Sequence, residues 1–259
     1  MNINLNIISV FFYILSFSSS LNTFDRKKTK NIVLFSIFTI ASLAQLYISN
    51  DILLFITTLT IYIALIITKV FKSKAIKYKK ITVAIILSII LAMTLIILLA
   101  QPHLLIRMSN PDEELSYMQD RLVQSKLVGN SELSEGINTD YYYMNFSNYS
   151  FIYLIEHYGK ILGIFIISLL ALLSIKIIFS YKAVKDEYGK FLIIGLGFFI
   201  FIQLLANLLT LLGIINIGIN NMPFITHDNA SIIFYMLSIG LILSIYGRKN
   251  MNVTNTVQE

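Results

Sequence analysis

The sequence predicts an all-α fold: a polytopic membrane helix bundle with about seven transmembrane helices and one large external loop. The first observation behind this prediction is composition. Of 259 residues, 56% are hydrophobic and only 13% are charged, and the mean hydropathy is +0.76. Soluble domains usually carry about 25% charged residues, so we expect much of this surface to face lipid. The second observation is that basic residues fall in alternate connections between the apolar stretches.

The apolar stretches are each long enough for a membrane helix, which takes roughly 20 residues at about 1.5 Å rise each. The first has no basic n-region and no small-residue cleavage site, so we interpret it as a retained helix rather than a signal peptide. Residues 1–259 are then one integral membrane domain. The predicted spans are Ile3–Leu21, Ile32–Ile48, Ile52–Thr68, Ile81–Ala100, Phe151–Ile175, Phe191–Ile215 and Ala230–Tyr246.

The positive-inside rule assigns the basic connections to the cytoplasm. The N-terminus is then outside and the C-terminus cytoplasmic, with a large extracellular loop at 101–150 and a disordered cytoplasmic tail at 248–259. We interpret the basic runs as contacts with membrane lipids and predict no nucleic-acid partner. The runs contain Arg26, Lys27, Lys28 and Lys30; Lys69, Lys72, Lys74, Lys77, Lys79 and Lys80; Lys176, Lys182, Lys185 and Lys190; Arg248 and Lys249.

The polar groups able to do chemistry lie mainly in the external segments. Asp51 is either an interfacial helix cap or a functional carboxylate. Arg107 suits a phosphate or carboxylate, or extends to lipid headgroups. Glu156 and Lys160 are four residues apart, so on one helix they could form a structural ion pair instead of a site. The acid–base candidates are Asp140, Glu156 and His157.

Metal binding and transport have weaker support. The three histidines, all external, could gather around a metal, but no metal-binding motif is present, so we predict no cofactor and leave a divalent cation open. The absence of cysteine excludes disulfides and thiolate sites. Gln203 and Asn207 lie on one face of a span, and helix–helix hydrogen bonding explains them more simply than a transporter site. The histidines are His103, His157 and His227.

The segment Asp112–Val128 has the spacing of an amphipathic helix. Acids favour the first turn of a helix, and three acids begin this segment. Its apolar residues recur at helical intervals, so we expect a helix that lies on the membrane surface. Those residues are Leu115, Met118, Leu122 and Val123.

Short motifs follow one another in an order known from one family. The segment 99–107, LAQPHLLIR, echoes L-x-P-Y-x-x-x-R, with Arg107 on the arginine, and Asn110-Pro111 follows. Next, Gln124-Ser125 echoes the end of Y-Q-x-x-Q-S. The segment 148–159, NYSFIYLIEHYG, echoes T-D-F-I-F-A-x-x-x-E-E-x-G. The segment 213–231 contains Pro223-Phe224 and echoes G-L-x-P-x-x-G-x-x-L-P-F-x-S-x-G-G-S.

From about Leu21 to Arg248 the chain therefore resembles the SEDS proteins (shape, elongation, division and sporulation), the FtsW/RodA/SpoVE group. The resemblance implies a bacterial cell membrane location and a glycosyltransferase that polymerises lipid II, a disaccharide-pentapeptide on undecaprenyl diphosphate. It also implies a penicillin-binding-protein transpeptidase or other division or elongation membrane proteins as partners. The substrate-binding residues it implies are Arg107, Gln124, Ser125, Pro223 and Phe224.

The chain departs from the family pattern at several points. By the resemblance, the first predicted helix matches the family's fourth, so we expect no counterpart of the family's first three helices in this sequence. The family's loop aspartate, the implied base, falls on Asn148, which has no ionisable carboxylate. Asp140 lies in a similar local motif, so it could serve as the base instead. Asp228 and Asn229 replace two glycines, whose backbone freedom they only partly reproduce.

Whether this chain is an enzyme stays open at this point. We interpret it as a degenerate SEDS-like protein of cell-wall synthesis, division or shape, with weak or no catalysis, that binds a lipid-linked precursor or a partner. The first alternative is an active lipid II glycosyltransferase with Asp140 as its base and Glu156 shaping the site. The second is an unrelated small-molecule transporter.

Overall fold

The computed structural model describes residues 5–23, 29–49, 51–72, 113–129, 146–214 and 222–249. Within these ranges the chain forms α-helices and no strand, with one isolated bridge between Met222 and Ile225, so the all-α prediction is confirmed there. The elements are α1 (Leu5–Thr23), α2 (Thr29–Ile48), α3 (Ile52–Lys72), α4 (Glu113–Gln124), α5 (Phe146–Tyr158), α6 (Lys160–Phe179), a short 3₁₀ helix (Ser180–Ala183), α7 (Glu187–Leu211) and α8 (Asn229–Gly247).

Several of these helices are suited to a membrane. In the described part of the chain, three helical segments are long and apolar enough to cross one: Lys160–Ala183, Glu187–Leu211 and Asn229–Gly247. Shorter apolar helices lie where the first three spans were predicted: Asn6–Asn22, Ile37–Ile48 and Leu53–Lys69.

Some predictions of topology are not tested by these helices. The predicted span Ile81–Ala100, most of the loop 101–150 and the tail beyond Lys249 lie outside the described residues. The count of seven spans and the orientation of the termini therefore stay predictions.

The predicted span Phe151–Ile175 is wrong in its boundaries. Gly159 has a φ of 95° and separates α5 from α6, a conformation that glycine adopts readily. The membrane-length segment begins only at Lys160. The apolar residues of α5 that suggested a span, such as Phe151 and Ile155, are buried against protein.

Helix α7 is the centre of the bundle, because it packs against α1, α3, α4, α6 and α8. Apolar side chains of α1, α2, α3, α7 and α8 form one buried cluster, the inner core. Phe17 stacks on Tyr62 at 3.9 Å between ring centres, and Phe199 meets Phe234 edge-on at 5.1 Å. The hydroxyls of Ser42 and Tyr62 are 2.9 Å apart and join α2 to α3.

A second buried cluster lies at the C-terminal end of α7. It joins α4 and α5 to that end and to the segment before α8, and we call it the loop cluster. Helix α7 ends here in a Schellman motif: Gly213, with a φ of 72°, donates to Thr210 O, and Ile214 donates to Leu209 O. The buried members of the loop cluster are Met118, Phe151, Ile152, Ile155, Leu204, Leu211 and Met222.

Candidate functional site

Helix α4 packs on α5 and on the end of α7. Leu115 and Met118, which the helical spacing placed on the apolar face, are 2% and 1% exposed. Gln119 Nε2 donates to Thr210 O at 2.9 Å, which satisfies a carbonyl in the last turn of α7. The predicted helix is confirmed, and α5 and α7 cover Leu115 and Met118, whereas Val123 is 76% exposed. Its place on the membrane surface stays a prediction.

A buried ion pair joins α4 to α5. Arg121 Nε donates to Glu156 Oε1, and the two side chains are 15% and 4% exposed. The Arg121 guanidinium carbon also lies 5.9 Å from the centre of the Tyr117 ring. Arg121 Nη2 is buried and has no hydrogen-bond partner in the described part of the chain. Glu156 therefore has a charged partner contributed by another helix.

Arg121 was missed by sequence reasoning, which selected Gln124 and Ser125 from the same motif. A usable signal was present, because Arg121 follows Met118 by three residues and so shares the buried face of α4. The predicted pairing of Glu156 with Lys160 on one helix is wrong, since Gly159 ends α5 between them. Lys160 Nζ instead donates to Val123 O at 3.1 Å.

The segment Ser125–Gly129, which we call the strap, runs along the junction of α5 and α6. Lys160 N donates to Lys126 O at 3.0 Å, and Ile161 N donates to Leu127 O at 3.1 Å. These bonds satisfy two of the N–H groups that a helix N-terminus leaves without an intrahelical acceptor. In the other direction, Gly129 N donates to Tyr158 O at 3.1 Å. The strap thus caps α6 with backbone carbonyls.

Two glycines permit this close backbone approach. A Cβ on Gly159 would lie 2.5 Å from Leu127 O, and a Cβ on Gly129 would lie 2.2 Å from His157 O. Both distances are far below van der Waals contact, and the obstructing atoms are backbone atoms that cannot rotate away. Gly159 also has a positive φ, so two independent effects favour glycine there.

An apolar cavity of about 470 Å³ opens between α4, α5, α6 and the end of α7, and we call it the α4–α6 groove. Ile164 of α6 and Leu208 of α7 line it, together with Phe151 and Ile155 of α5. Lys160 is its one charged lining residue among those described. A concave apolar surface with one cation suits a ligand that joins an apolar chain to an anionic group.

The predicted substrate-binding residues lie in different settings. Gln124 ends α4 and is exposed, whereas Ser125 is buried and donates its hydroxyl to Leu122 O at 2.7 Å. Asn148 lies in the first turn of α5. Arg107, Asp140 and His103 lie outside the described residues, so their predicted roles stay predictions.

Pro223 and Phe224 form a tight turn. Ile225 N donates to Met222 O at 3.1 Å, and Phe224 has a φ of 66°. A proline followed by a positive φ is characteristic of a type II turn, which normally has glycine at that position. The Phe224 ring packs 5.2 Å from Tyr235, and Met222 belongs to the loop cluster. The turn therefore connects the loop cluster with the inner core.

Asp228 caps α8. Its carboxylate accepts hydrogen bonds from the backbone N–H and the hydroxyl of Ser231, and its own N–H donates to Thr226 Oγ1 at 3.1 Å. Asp228 has a φ of −76°, which any residue adopts. Interpreting Asp228 as a poor substitute for glycine is therefore wrong, since aspartate is a preferred N-cap residue.

Asp51 caps the N-terminus of α3, close to the first turn of α1 and just after the last turn of α2. The Asn6 amide donates to Asp51 Oδ2 at 3.0 Å, and the Leu54 N–H also donates to this carboxylate. Burial raises the pKa of Asp51, and the two hydrogen bonds partly oppose the rise. Of the two interpretations from sequence, the structure favours the cap.

The remaining candidates show no assembled site. Gln203 and Asn207 are buried in α7, which is unbroken from Glu187 to Leu211, and both make polar contacts. His157 is exposed and stacks on Tyr153. Among the residues that the structure describes, no three His, Asp or Glu side chains are grouped as metal ligands.

Comparison with known proteins gives one partial similarity. No family model matches the chain. Over 124 residues the chain is 28% identical to the protein described as "Probable peptidoglycan glycosyltransferase FtsW" of Enterococcus hirae. The match covers 47% of this chain and 30% of that protein, so it spans less than a third of the relative's length. It agrees with the resemblance to SEDS proteins over part of the chain.

Proposed function

We propose that this chain is a SEDS-like membrane protein of bacterial cell-wall synthesis that binds a lipid-linked precursor and has weak or no glycosyltransferase activity. The partial similarity to a probable peptidoglycan glycosyltransferase supports the proposed role in cell-wall synthesis. The apolar helices support the membrane location. The buried pairing of Glu156 with Arg121 is the observation that carries the weak-catalysis part of the proposal.

Two of the described candidates, Glu156 and Asn148, do not suit proton transfer. A general base must reach the proton that it removes, with a carboxylate free to accept it. Glu156 is 4% exposed and accepts from a guanidinium of α4, so it stabilises the packing of α4 on α5. Asn148, at the position of the family's aspartate, has an amide that takes no proton near neutral pH.

The α4–α6 groove is the proposed place for the precursor. Its apolar lining suits a polyprenyl chain, because burying apolar surface stabilises such a complex. Lys160, at the groove, supplies a positive charge for the diphosphate. The precursor class is therefore an undecaprenyl-diphosphate-linked sugar. A penicillin-binding-protein transpeptidase or another division or elongation protein is the proposed membrane partner.

An active enzyme with Asp140 as base is the second candidate. The geometry of Asp228 favours it, because that substitution preserves an ordinary N-cap and no longer indicates degeneration. The transporter alternative has less support. Transporter sites are typically formed by broken helices, and α7 continues unbroken through Gln203 and Asn207.

The test is lipid II polymerisation by the purified chain in liposomes, with binding of the same lipid measured in parallel. The proposal predicts that the wild type binds lipid II and makes little or no glycan. Asn148→Asp should then gain activity if the base alone was lost. Robust glycan synthesis by the wild type that Asp140→Ala abolishes would overturn the weak-catalysis proposal. Failure to bind lipid II would overturn the proposed ligand.

A further inference from the structure

A second cavity lies at the other end of α7 from the loop cluster. It has a volume of about 520 Å³ and lies between the last part of α3, the 3₁₀ helix and the first turns of α7. Helix α7 has 25 residues, so at about 1.5 Å per residue the two cavities are separated by a distance comparable to a membrane's hydrocarbon thickness. We call this cavity the α3–α7 pocket.

Two ammonium groups from different elements line the pocket. Lys182 belongs to the 3₁₀ helix and lies with its Nζ 4.9 Å from the centre of the Phe179 ring. Lys190 belongs to α7, and its side chain has no hydrogen-bond or ion-pair partner among the described residues. Glu187 also lines the pocket but makes an interaction of its own. Lys190 is therefore not paired with Glu187, and the two ammonium groups outnumber the one carboxylate in the described lining.

The rest of the lining combines apolar and hydroxyl groups. Ile67 and Phe191 supply apolar walls, and Thr68 and Tyr181 bring hydroxyls. The N-terminus of α7 is not what would attract an anion, because the Asp186 carboxylate already occupies it and accepts a hydrogen bond from Gly189 N at 2.7 Å. The attraction for an anion comes from the lysines.

We propose that the α3–α7 pocket binds the phosphate group of an anionic phospholipid, with the glycerol and the start of the acyl chains against Ile67 and Phe191. Ammonium groups are point-charge donors that suit phosphate oxygens. Basic pockets between membrane helices on the cytoplasmic side bind acidic headgroups, and the charge distribution predicts that this end is cytoplasmic. The apolar walls favour a lipid over a soluble phosphate, because a free phosphate has nothing to place there.

The experiment titrates the full-length chain in neutral detergent with phosphatidylglycerol and counts bound lipids by native mass spectrometry. Lys182→Ala/Lys190→Ala removes two charges from the pocket. Lys176→Ala/Lys185→Ala is the matched control, because it removes two exposed charges from the same region that do not line the pocket. We expect the pocket variant to lose one tightly bound lipid or to weaken its Kd roughly tenfold or more. The control should bind like the wild type.

Further titrations distinguish a lipid phosphate from a soluble phosphate, and a single substitution guards against misfolding of the double variant. Phosphatidylcholine, which has no net charge, and free glycerol 3-phosphate should not displace the bound lipid. Displacement by glycerol 3-phosphate would overturn the lipid assignment in favour of a soluble phosphate. Equal weakening in the pocket and control variants would overturn the site itself, since it would indicate diffuse attraction. Lys190→Gln alone, with an unchanged Tm, gives the same comparison if the double variant misfolds.

Discussion

The inner core and the loop cluster lie at different places along α7 and are stabilised by different interactions. The inner core contains apolar and aromatic side chains from five helices, with ring contacts such as Phe199 on Phe234. The loop cluster adds a buried ion pair, a side-chain bond from Gln119 to α7, and backbone bonds between the strap and α6. The stabilisation of the inner core comes from dispersion and apolar burial, which depend on how well side-chain volume fills the space. The polar contacts of the loop cluster depend instead on individual donor and acceptor atoms in fixed positions.

The difference indicates where single substitutions change the molecule most. A core of apolar side chains tolerates swaps that conserve volume, usually at a cost below about 1.5 kcal/mol. In a region stabilised by a charge pair and close backbone contacts, no other side chain can replace one of these groups and keep the interaction. We therefore expect the packing of α4 and α5, and the α4–α6 groove between them, to be the more sensitive part.

The largest effect is expected at the Arg121–Glu156 pair. Arg121→Met leaves the Glu156 carboxylate buried without its charge partner, which destabilises a protein by about 3–5 kcal/mol. Arg121→Met/Glu156→Gln removes both charges and should cost less than the sum of the single changes. The measurement is a double-mutant cycle of unfolding free energies in detergent. Additive costs would show that the pair contributes no coupling, contrary to the structure.

A smaller effect is expected at the junction of α5 and α6. Gly159→Ala places a Cβ 2.5 Å from Leu127 O at a residue with positive φ, and strain of this kind costs about 1–3 kcal/mol. Gly240→Ala is the matched control, because a Cβ at Gly240 in α8 meets nothing within 4 Å. We expect a lower Tm for Gly159→Ala and an equal or higher Tm for the control. Equal Tm values for the two variants would contradict the strap contacts.

The smallest effect is a pH dependence at the edge of the inner core. Because burial raises the pKa of Asp51, the folded chain holds this proton more tightly than the unfolded chain does. The resulting stability is fully present below the unfolded pKa, about 3.9, and is lost as pH rises through the folded pKa. Unfolding followed upward from about pH 4 should therefore show a decline that Asp51→Asn flattens. Parallel curves for the two chains would contradict burial of this carboxyl.

The sequence predicted those parts of the fold that depend on hydrophobic composition and on the helical spacing of apolar residues. Long apolar stretches placed α7 and α8 within a few residues, and the spacing of Leu115 and Met118 predicted α4. The division of Phe151–Ile175 at Gly159 was not predictable from hydropathy, because lipid and a protein interior favour the same side chains. The tertiary contact with the strap and the positive φ of Gly159 both favour a glycine at that position, and hydropathy reports neither.

The candidate site was predictable only in part. Glu156 was recognised as a candidate, but its partner Arg121 comes from a helix 35 residues earlier, and a pairing across that separation has no local pattern. The Asn6–Asp51 bond joins residues 45 apart for the same reason. Asp228 was interpreted by analogy with glycine, whereas an aspartate directly before a long apolar helical stretch already matched an N-cap.

The most direct measurement is lipid II binding to a chain whose groove has been filled. Ile164 lines the groove and is 66% exposed, while Ile233 on α8 is 59% exposed and lies outside it, so Ile233→Trp is a matched control for Ile164→Trp. We predict that Ile164→Trp weakens lipid II binding about tenfold, equivalent to about 1.4 kcal/mol, and that the control keeps the wild-type Kd. Unchanged affinity for Ile164→Trp, with the control also unchanged, would contradict the groove as the binding site.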